Sequence, residues 1–259
     1  MSGGVSIFRA LVCNDDGIWA PGIRALVDCM VQSGAEVYVC APDGERSAIS
    51  HALTMGSPIR VEALSINGAK GAWATTGTPA DCVKIALEEL LPAPPAIVVS
   101  GVNRGPNLGT DVLYSGTVAA AMEGAIAGLP AIAVSTADYD PADYSLAALA
   151  GAKIARMTVA HQGFPGVVLN VNVPDNADLD HIAVTRLGIQ RYSDVFDRRV
   201  DPRGRSYYWL GGNPIFDDDG DADHDTSAVR RGMISVTPLG TDLTHTRTIE
   251  LLRCWDQSL

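Results

Sequence analysis

The sequence predicts an α/β protein whose core is a Rossmann-like, doubly wound, mostly parallel sheet, with a C-terminal β-hairpin extension. Three observations carry this. Short β-rich runs alternate with helical stretches through the first two-thirds of the 259-residue chain. Those runs are apolar throughout, as strands covered by helices on both faces are. No internal repeat or low-complexity segment interrupts the series.

Taken in order, residues 7–13 read as a buried strand and 21–33 as a helix with Pro21 near its start. A second strand covers 36–41, and short strands at 57–64 and 73–75 flank the Asn67-Gly68 turn signal. Residues 79–91 form a helix with Thr78 as N-cap, and 96–100 a continuous apolar strand. An Ala-rich helix starts at Ser115 or Gly116 and ends near Gly128. A strand at 131–135, a helix at 142–161 and a strand at 167–173 close the series. Residues 1–175 are therefore assigned to the core and 176–259 to an extension that does not stand alone. Within it, residues 190–212 place aromatics around Asp201-Pro202-Arg203-Gly204, a long hairpin. Two strands alone are marginal in water, so this arm is expected to pack on another subunit, as a homodimer or homotetramer. Residues 233–238 form a further short strand, and the tail from Thr246 returns to the body or to a neighbour.

Composition sets outer limits. A net charge of −11 argues against a general binder of nucleic acids, which needs a basic face. No apolar run approaches the ~20 residues that cross a bilayer, and no signal-peptide pattern opens the chain, so a cytoplasmic location is expected. The five cysteines fit no zinc spacing and read as buried, reduced thiols.

Sites in doubly wound sheets gather at the carboxyl ends of the strands. Asn14-Asp15-Asp16-Gly17 follows the first strand directly. Two adjacent carboxylates repel unless a cation or water separates them, and hard oxygen donors suit Mg2+, Mn2+ or Ca2+. The alternative is an Asx turn that caps the next helix. After the strand at 96–100 comes a loop dense in Gly and Asn, through Asn103, Arg104 and Asn107. Such a loop can bring amides close to a ligand, or be only a connector. Tyr114-Ser115-Gly116-Thr117 precedes the Ala-rich helix. Free N–H groups, the helix dipole and the hydroxyls make an anion site there, or plain N-capping. The loop after the second strand adds Arg46, Ser47, Ser50 and His51, with Arg46 a candidate to offset phosphate charge. The acidic run 217–223 lacks the Gly and Glu that an EF-hand needs, and reads as a solvated loop.

Taken as an ordered set, the motifs resemble the SurE family of survival-protein nucleotidases. The set comprises 14–17, Ala41-Pro42, 77–83, 100–109, 114–124, 169–174, Asp225-Thr226 and 235–239. The resemblance spans nearly the whole chain. It implies a 5′-nucleotidase that needs one divalent cation per subunit and acts on nucleoside 5′-monophosphates, with 3′-monophosphates and short polyphosphate as further substrates. It places the metal ligands at Asp15, Asp16, Ser47 and Asn103, and the phosphate pocket at Asn107, Ser115, Gly116 and Thr117. Asp15 and Asp16 are the candidate catalytic groups. The chain departs from the family at Cys13, usually Ser, and at Ala48, usually Gly.

Two other readings compete. An aspartyl-phosphate phosphatase of the haloacid dehalogenase type needs Asp-x-Asp, whereas here the carboxylates are adjacent. A non-catalytic nucleotide-binding module fits the same fold. The three-glycine dinucleotide fingerprint and the Gly-x-Ser-x-Gly elbow are both missing.

Overall fold

The computed structural model describes residues 7–193, 195–215 and 221–255. The core elements are β1 (Phe8–Cys13), α1 (Pro21–Gln32), β2 (Ala35–Pro42), β3 (Val61–Leu64), β4 (Gly71–Thr75) and α2 (Pro79–Ile85). They continue with β5 (Ile97–Asn103), α3 (Gly116–Ile126), β6 (Ala131–Thr136), α4 (Ser145–Ala160) and β7 (Val167–Val173). Beyond them come β8 (Ile182–Val184), β9 (Arg191–Ser193), β10 (Phe196–Val200), β11 (Ser206–Leu210) and β12 (Asn213–Ile215). The last are α5 (Asp225–Arg230), β13 (Ile234–Gly240) and α6 (Thr246–Arg253).

Nine strands form one sheet in the order β3-β4-β2-β1-β5-β6-β7-β13-β8. The strands from β4 to β7 run parallel, while β3 and β13 are antiparallel to β4 and β7. From β1 the chain winds toward β2 on one side, and later resumes with β5 on the other. The order therefore reverses between β1 and β5, where a doubly wound sheet opens its crevice.

Both faces of the sheet are buried. Helices α1 and α4 pack together, as do α2 and α3. In β1, Ala10 and Val12 join the core under α1 and α4, while Leu11 and Cys13 join the core with α2 and α3. Side chains alternate across a strand, so double coverage demands apolar residues at every position.

The sheet does not stop at residue 175. β13 lies antiparallel beside β7, and β8 runs parallel beside β13. β10 and β11 form the expected hairpin, in register from Phe196↔Leu210 to Val200↔Ser206. Its turn is held by Asp201, which accepts the N–H groups of Arg203 and Arg205 at 2.8 and 2.9 Å. Every residue of both strands is exposed.

Several boundaries differ from the sequence expectation. The strand expected at 57–64 pairs only from Val61, since Pro58 offers no N–H to a ladder. The helix expected over 79–91 is α-helical to Ile85 and then widens into a π-turn over Ala86–Leu90. The helix expected from 142 starts at Ser145, because the Asp143 carboxylate accepts the Ser145 N–H at 3.0 Å and closes an Asx turn. Cys254 is exposed, because α6 buries none of its residues. Of the acidic run, residues 217–220 lie outside the described residues. Asp221 pairs with Arg186 and accepts the Asp223 N–H at 3.0 Å.

The start of α2 reaches toward the loop after β2. Thr78 Oγ1 accepts the Asp81 N–H at 3.1 Å, and Asp81 Oδ2 accepts the Thr78 N–H at 2.9 Å, a reciprocal capping box. The same carboxylate accepts the Thr54 N–H at 3.1 Å, and Thr78 Oγ1 donates to Ala52 O at 2.8 Å. Burial pushes the Asp81 carboxyl up, but the hydrogen bonds from Thr54 and Thr78 outweigh it and hold it below the usual range. A depressed folded pKa gives stability that is present above about pH 4 and lost as pH falls through the folded value. Asp81→Asn is therefore expected to cost about 1 kcal/mol at pH 7. It should also flatten the acid loss of stability. Urea unfolding at neutral and acid pH reads both effects, and an unchanged midpoint at pH 7 refutes the assignment.

Candidate active site

Because β1 and β5 are neighbours, the loops leaving their carboxyl ends share one crevice. The β1 loop turns sharply: Asn14 Nδ2 donates to Gly17 O at 3.0 Å. Gly17 has φ +98°, and a Cβ there would stand 3.0 Å from the backbone of Gly44. A side chain is excluded by conformation and by space. The loop after β2 closes over the turn, with Arg46 N–H donating to Asp15 O at 2.7 Å.

Asp15 is 4% exposed. Thr117 Oγ1 donates to its carboxylate from the first turn of α3. Gly116 lies against it so closely that a Cβ would stand 2.8 Å from Asp15 Cβ. Burial pushes the Asp15 carboxyl up to about 6; the Thr117 hydroxyl opposes the shift and the Asp16 charge adds to it. Asp16 is also raised by burial, against the Arg104 N–H, which donates to Asp16 Oδ2 at 3.2 Å, and the Arg104 charge.

Asn103, at the end of β5, turns Nδ2 to Gly105 O at 2.8 Å, so its other polar atom is an oxygen acceptor. Ser47 Oγ donates to Glu45 Oε1 at 2.6 Å and keeps its lone pairs. Ser115 caps α3, its Oγ accepting the Val118 N–H at 3.1 Å, which leaves its own O–H to donate. The Thr117 hydroxyl is committed to Asp15, and its backbone N–H also turns to that carboxylate.

An open pocket of about 210 Å³ is lined by Asp15, Ser47, Asn103, Asn107 and Ser115, all expected site residues. Asp16, Gly116 and Thr117 do not line it: Asp16 is tied to Arg104, and the other two press on Asp15. A hollow of about 260 Å³ shares Ser115 but is walled mainly by apolar side chains such as Leu113 and Met122. The smaller pocket gathers the carboxylate, hydroxyl and amide side chains.

Arg104, Asp111 and Tyr114 also line the site, and sequence reasoning gave none of them a role. Arg104 had a signal, as the one charged residue in the loop 100–109. Arg46, expected to face phosphate, instead pairs with Asp43 at 2.9 Å. His51 Nε2 meets the buried Glu123 carboxylate at 2.7 Å, a structural tie between its loop and α3.

The donor set suits a hard divalent cation. Two neighbouring carboxylates are both raised by burial, and no ion pair reaches Asp15 among the described residues. Among those residues no three His, Cys, Asp or Glu side chains cluster as a zinc site would require. Carboxylate, hydroxyl and amide oxygens are the donors preferred by Mg2+, Mn2+ and Ca2+.

A family model described as survival protein SurE matches residues 10–194. The chain belongs to the SurE family. A 5′-nucleotidase SurE of Heliobacterium modesticaldum is 52% identical over 250 residues, 95% of this chain and 91% of that one. The 5′-nucleotidase SurE of Pelotomaculum thermopropionicum is 52% identical over 246 residues, 95% and 94% of the two chains. The crystal structure of the SurE protein from Aquifex aeolicus superposes with a TM-score of 0.78 at 35% identity, covering 95% of this chain and 98% of the other.

In this SurE chain Ala48, a position where the family resemblance implies Gly, has φ +55°. A left-handed conformation costs a non-glycine residue about 1–2 kcal/mol, partly offset by the larger unfolded-state entropy of glycine. Ala48→Gly is expected to stabilise the protein by up to about 1 kcal/mol. Thermal unfolding reads this, and a lowered midpoint contradicts the strained loop.

Proposed function

We propose that the chain is a divalent-cation-dependent phosphomonoesterase that hydrolyses nucleoside 5′-monophosphates to nucleoside and inorganic phosphate. The observation that carries the reading is the meeting of the Asp15 carboxylate with the N-terminus of α3 in one pocket. It joins a cation-seeking group to an anion-seeking one. The relatives named 5′-nucleotidase SurE, at 52% identity, support the substrate class. 3′-Monophosphates and short polyphosphate are the further substrates to be compared.

Asp15, Asp16, Ser47 and Asn103 hold the cation, Mg2+ or Mn2+ first and Ca2+ as the alternative. When bound, that ion supplies positive charge beside the phosphoryl oxygens and acidifies water. Asn107 and the Ser115 hydroxyl hold phosphate oxygens, with Gly116 and Thr117 completing the start of α3 behind them. Arg104, the one basic side chain lining the pocket, adds charge. Asp15 or Asp16 takes the proton of the attacking water as the P–O bond to the nucleoside breaks, and the leaving oxygen takes up a proton to give the nucleoside hydroxyl. Residues 176–259 act as the extension of the core, and the exposed arm meets a second copy in a homodimer or homotetramer. The apolar side chains along it, with Trp209 59% and Leu210 71% exposed, support this.

Purified protein is expected to release phosphate from a panel of nucleoside monophosphates. EDTA should abolish the release, and added Mg2+ or Mn2+ should restore it. Asp16→Asn should keep the melting temperature and lose most of the release. Parent-like turnover by that variant, with cation present, refutes the ligand assignment. A protein that binds nucleotide without releasing phosphate is a binding module instead.

Gly116→Ala tests the packing behind Asp15. Alanine favours a helix, yet its methyl group would press on Asp15. The variant should remain folded and lose on the order of 10²-fold in activity. Unchanged activity shows that Asp15 can shift without consequence.

A further inference from the structure

Asn107 lines the candidate site, yet the groups that fix it lie outside the pocket, on β6 and β7. Asn172 Oδ1 accepts the Asn107 N–H at 2.8 Å, and Asn172 Nδ2 donates to Asn107 O at 3.1 Å. One side-chain amide thus pairs with both main-chain groups of one residue, as a neighbouring strand would. Asn170 Nδ2 adds a second donor to Asn107 O at 2.8 Å. The Asn107 side chain is pinned separately: its Nδ2 donates to Ser135 Oγ at 2.8 Å.

The sheet register makes this grip possible. Asn170 and Asn172 are two apart on β7 and share one face. Ser135 on β6 is the direct ladder partner of Asn172. One neighbour therefore holds the backbone of Asn107 and the other its side chain. Asn170, Asn172 and Ser135 are all 0% exposed. With one Nδ2 hydrogen committed to Ser135, the rotamer and amide orientation are set, and the second hydrogen and Oδ1 keep one direction. An apolar residue would fill the same space without desolvating an amide, so packing alone does not call for asparagine here.

We propose that Asn172 and Ser135 are positioning residues that fix the Asn107 side chain for the phosphate group of the substrate. The proposal rests on Asn107 being part of the phosphate pocket. Neither residue touches substrate; each acts through Asn107, Asn172 on its backbone and Ser135 on its amide.

A double-mutant cycle tests this in the full-length protein with Mg2+ saturating and a nucleoside 5′-monophosphate as substrate. Asn107→Ala, Asn172→Ala, Ser135→Ala and the two doubles that contain Asn107→Ala are compared by kcat, KM and melting temperature. Asn172→Ala and Ser135→Ala should each lower kcat/KM on the order of 10-fold or more. In the Asn107→Ala background neither should lower it further, because the group they orient is already gone. A merely structural residue would instead lose activity equally in both backgrounds. Additive losses, or parent-like single variants, overturn the proposal. Ser135→Ala removes one buried oxygen, so it reads the side-chain pin even where Asn172→Ala fails to fold. If Asn107→Ala itself keeps parent kinetics, the assignment of Asn107 to the phosphate pocket fails, a result distinct from failure of the frame.

Discussion

Asp15 is buried with one hydroxyl donating to its side chain, while its neighbour Asp16 carries the same charge. An ionised carboxylate in that setting is costly, and the molecule has two ways to relieve it: take up a proton or take up a cation. The surrounding elements are arranged around this constraint. The loop after β2 donates a backbone N–H to Asp15 O, α3 donates the Thr117 hydroxyl, and the loop after β5 donates the Arg104 N–H to Asp16. Three segments far apart in sequence converge on two residues because β1 lies between β2 and β5 at the switch point of the sheet.

The strands themselves change character along their length. On the face that meets α2 and α3, β1 runs from Leu11 to Cys13, β5 from Val98 to Ser100, β6 from Ala131 to Ser135, and β7 from Val168 to Asn172. The amino-terminal positions are apolar and sit under the helices. In β5, β6 and β7 the carboxyl-terminal ones become polar while still buried, whereas Cys13 of β1 stays in the core with α2 and α3. The loops beyond carry unpaired backbone groups into the interior, and buried backbone groups need partners. Asn170 and Asn172 supply them at Asn107, while Ser135 takes its side-chain amide. The same polar rim holds the pocket residues in place.

Much of this was legible in the sequence, and the reasons it was or was not are specific. The strands of the core were readable because double burial makes them continuous apolar runs. Asp15 and Asp16 stood out because adjacent carboxylates at a strand end are chemically conspicuous. Ser47 did not stand out on its own. An exposed serine in a polar loop carries no local signal, and only the family resemblance pointed to it. Asn170 and Asn172 lie inside a run that reads as core, so nothing in one strand reveals that they face Asn107 across the sheet. Arg46 and Arg104 show the same limit from the other side. Both sit in strand-end loops, and only the fold decides that Arg46 turns to Asp43 while Arg104 lines the pocket. The position of β13, between β7 and β8, antiparallel to the first and parallel to the second, likewise depends on long-range pairing that no local pattern encodes.

The choice of neutral amides for the frame follows from charge. The chain carries a net −11, and its pocket must accommodate carboxylates, a cation and an anion within a few residues. A charged side chain in the supporting layer would compete for one of them, at a desolvation cost of several kcal/mol. A carboxamide offers a donor and an acceptor with no net charge, and costs little when both are used, as those of Asn172 are. The one buried carboxylate in this layer, Asp225, obeys the same logic. It accepts the N–H groups of Gly109, Gly188 and Thr226, all at 2.8 Å, so its charge is spent on backbone donors. The field inside the pocket is then left to Asp15, Asp16, Asp111, Arg104 and the end of α3.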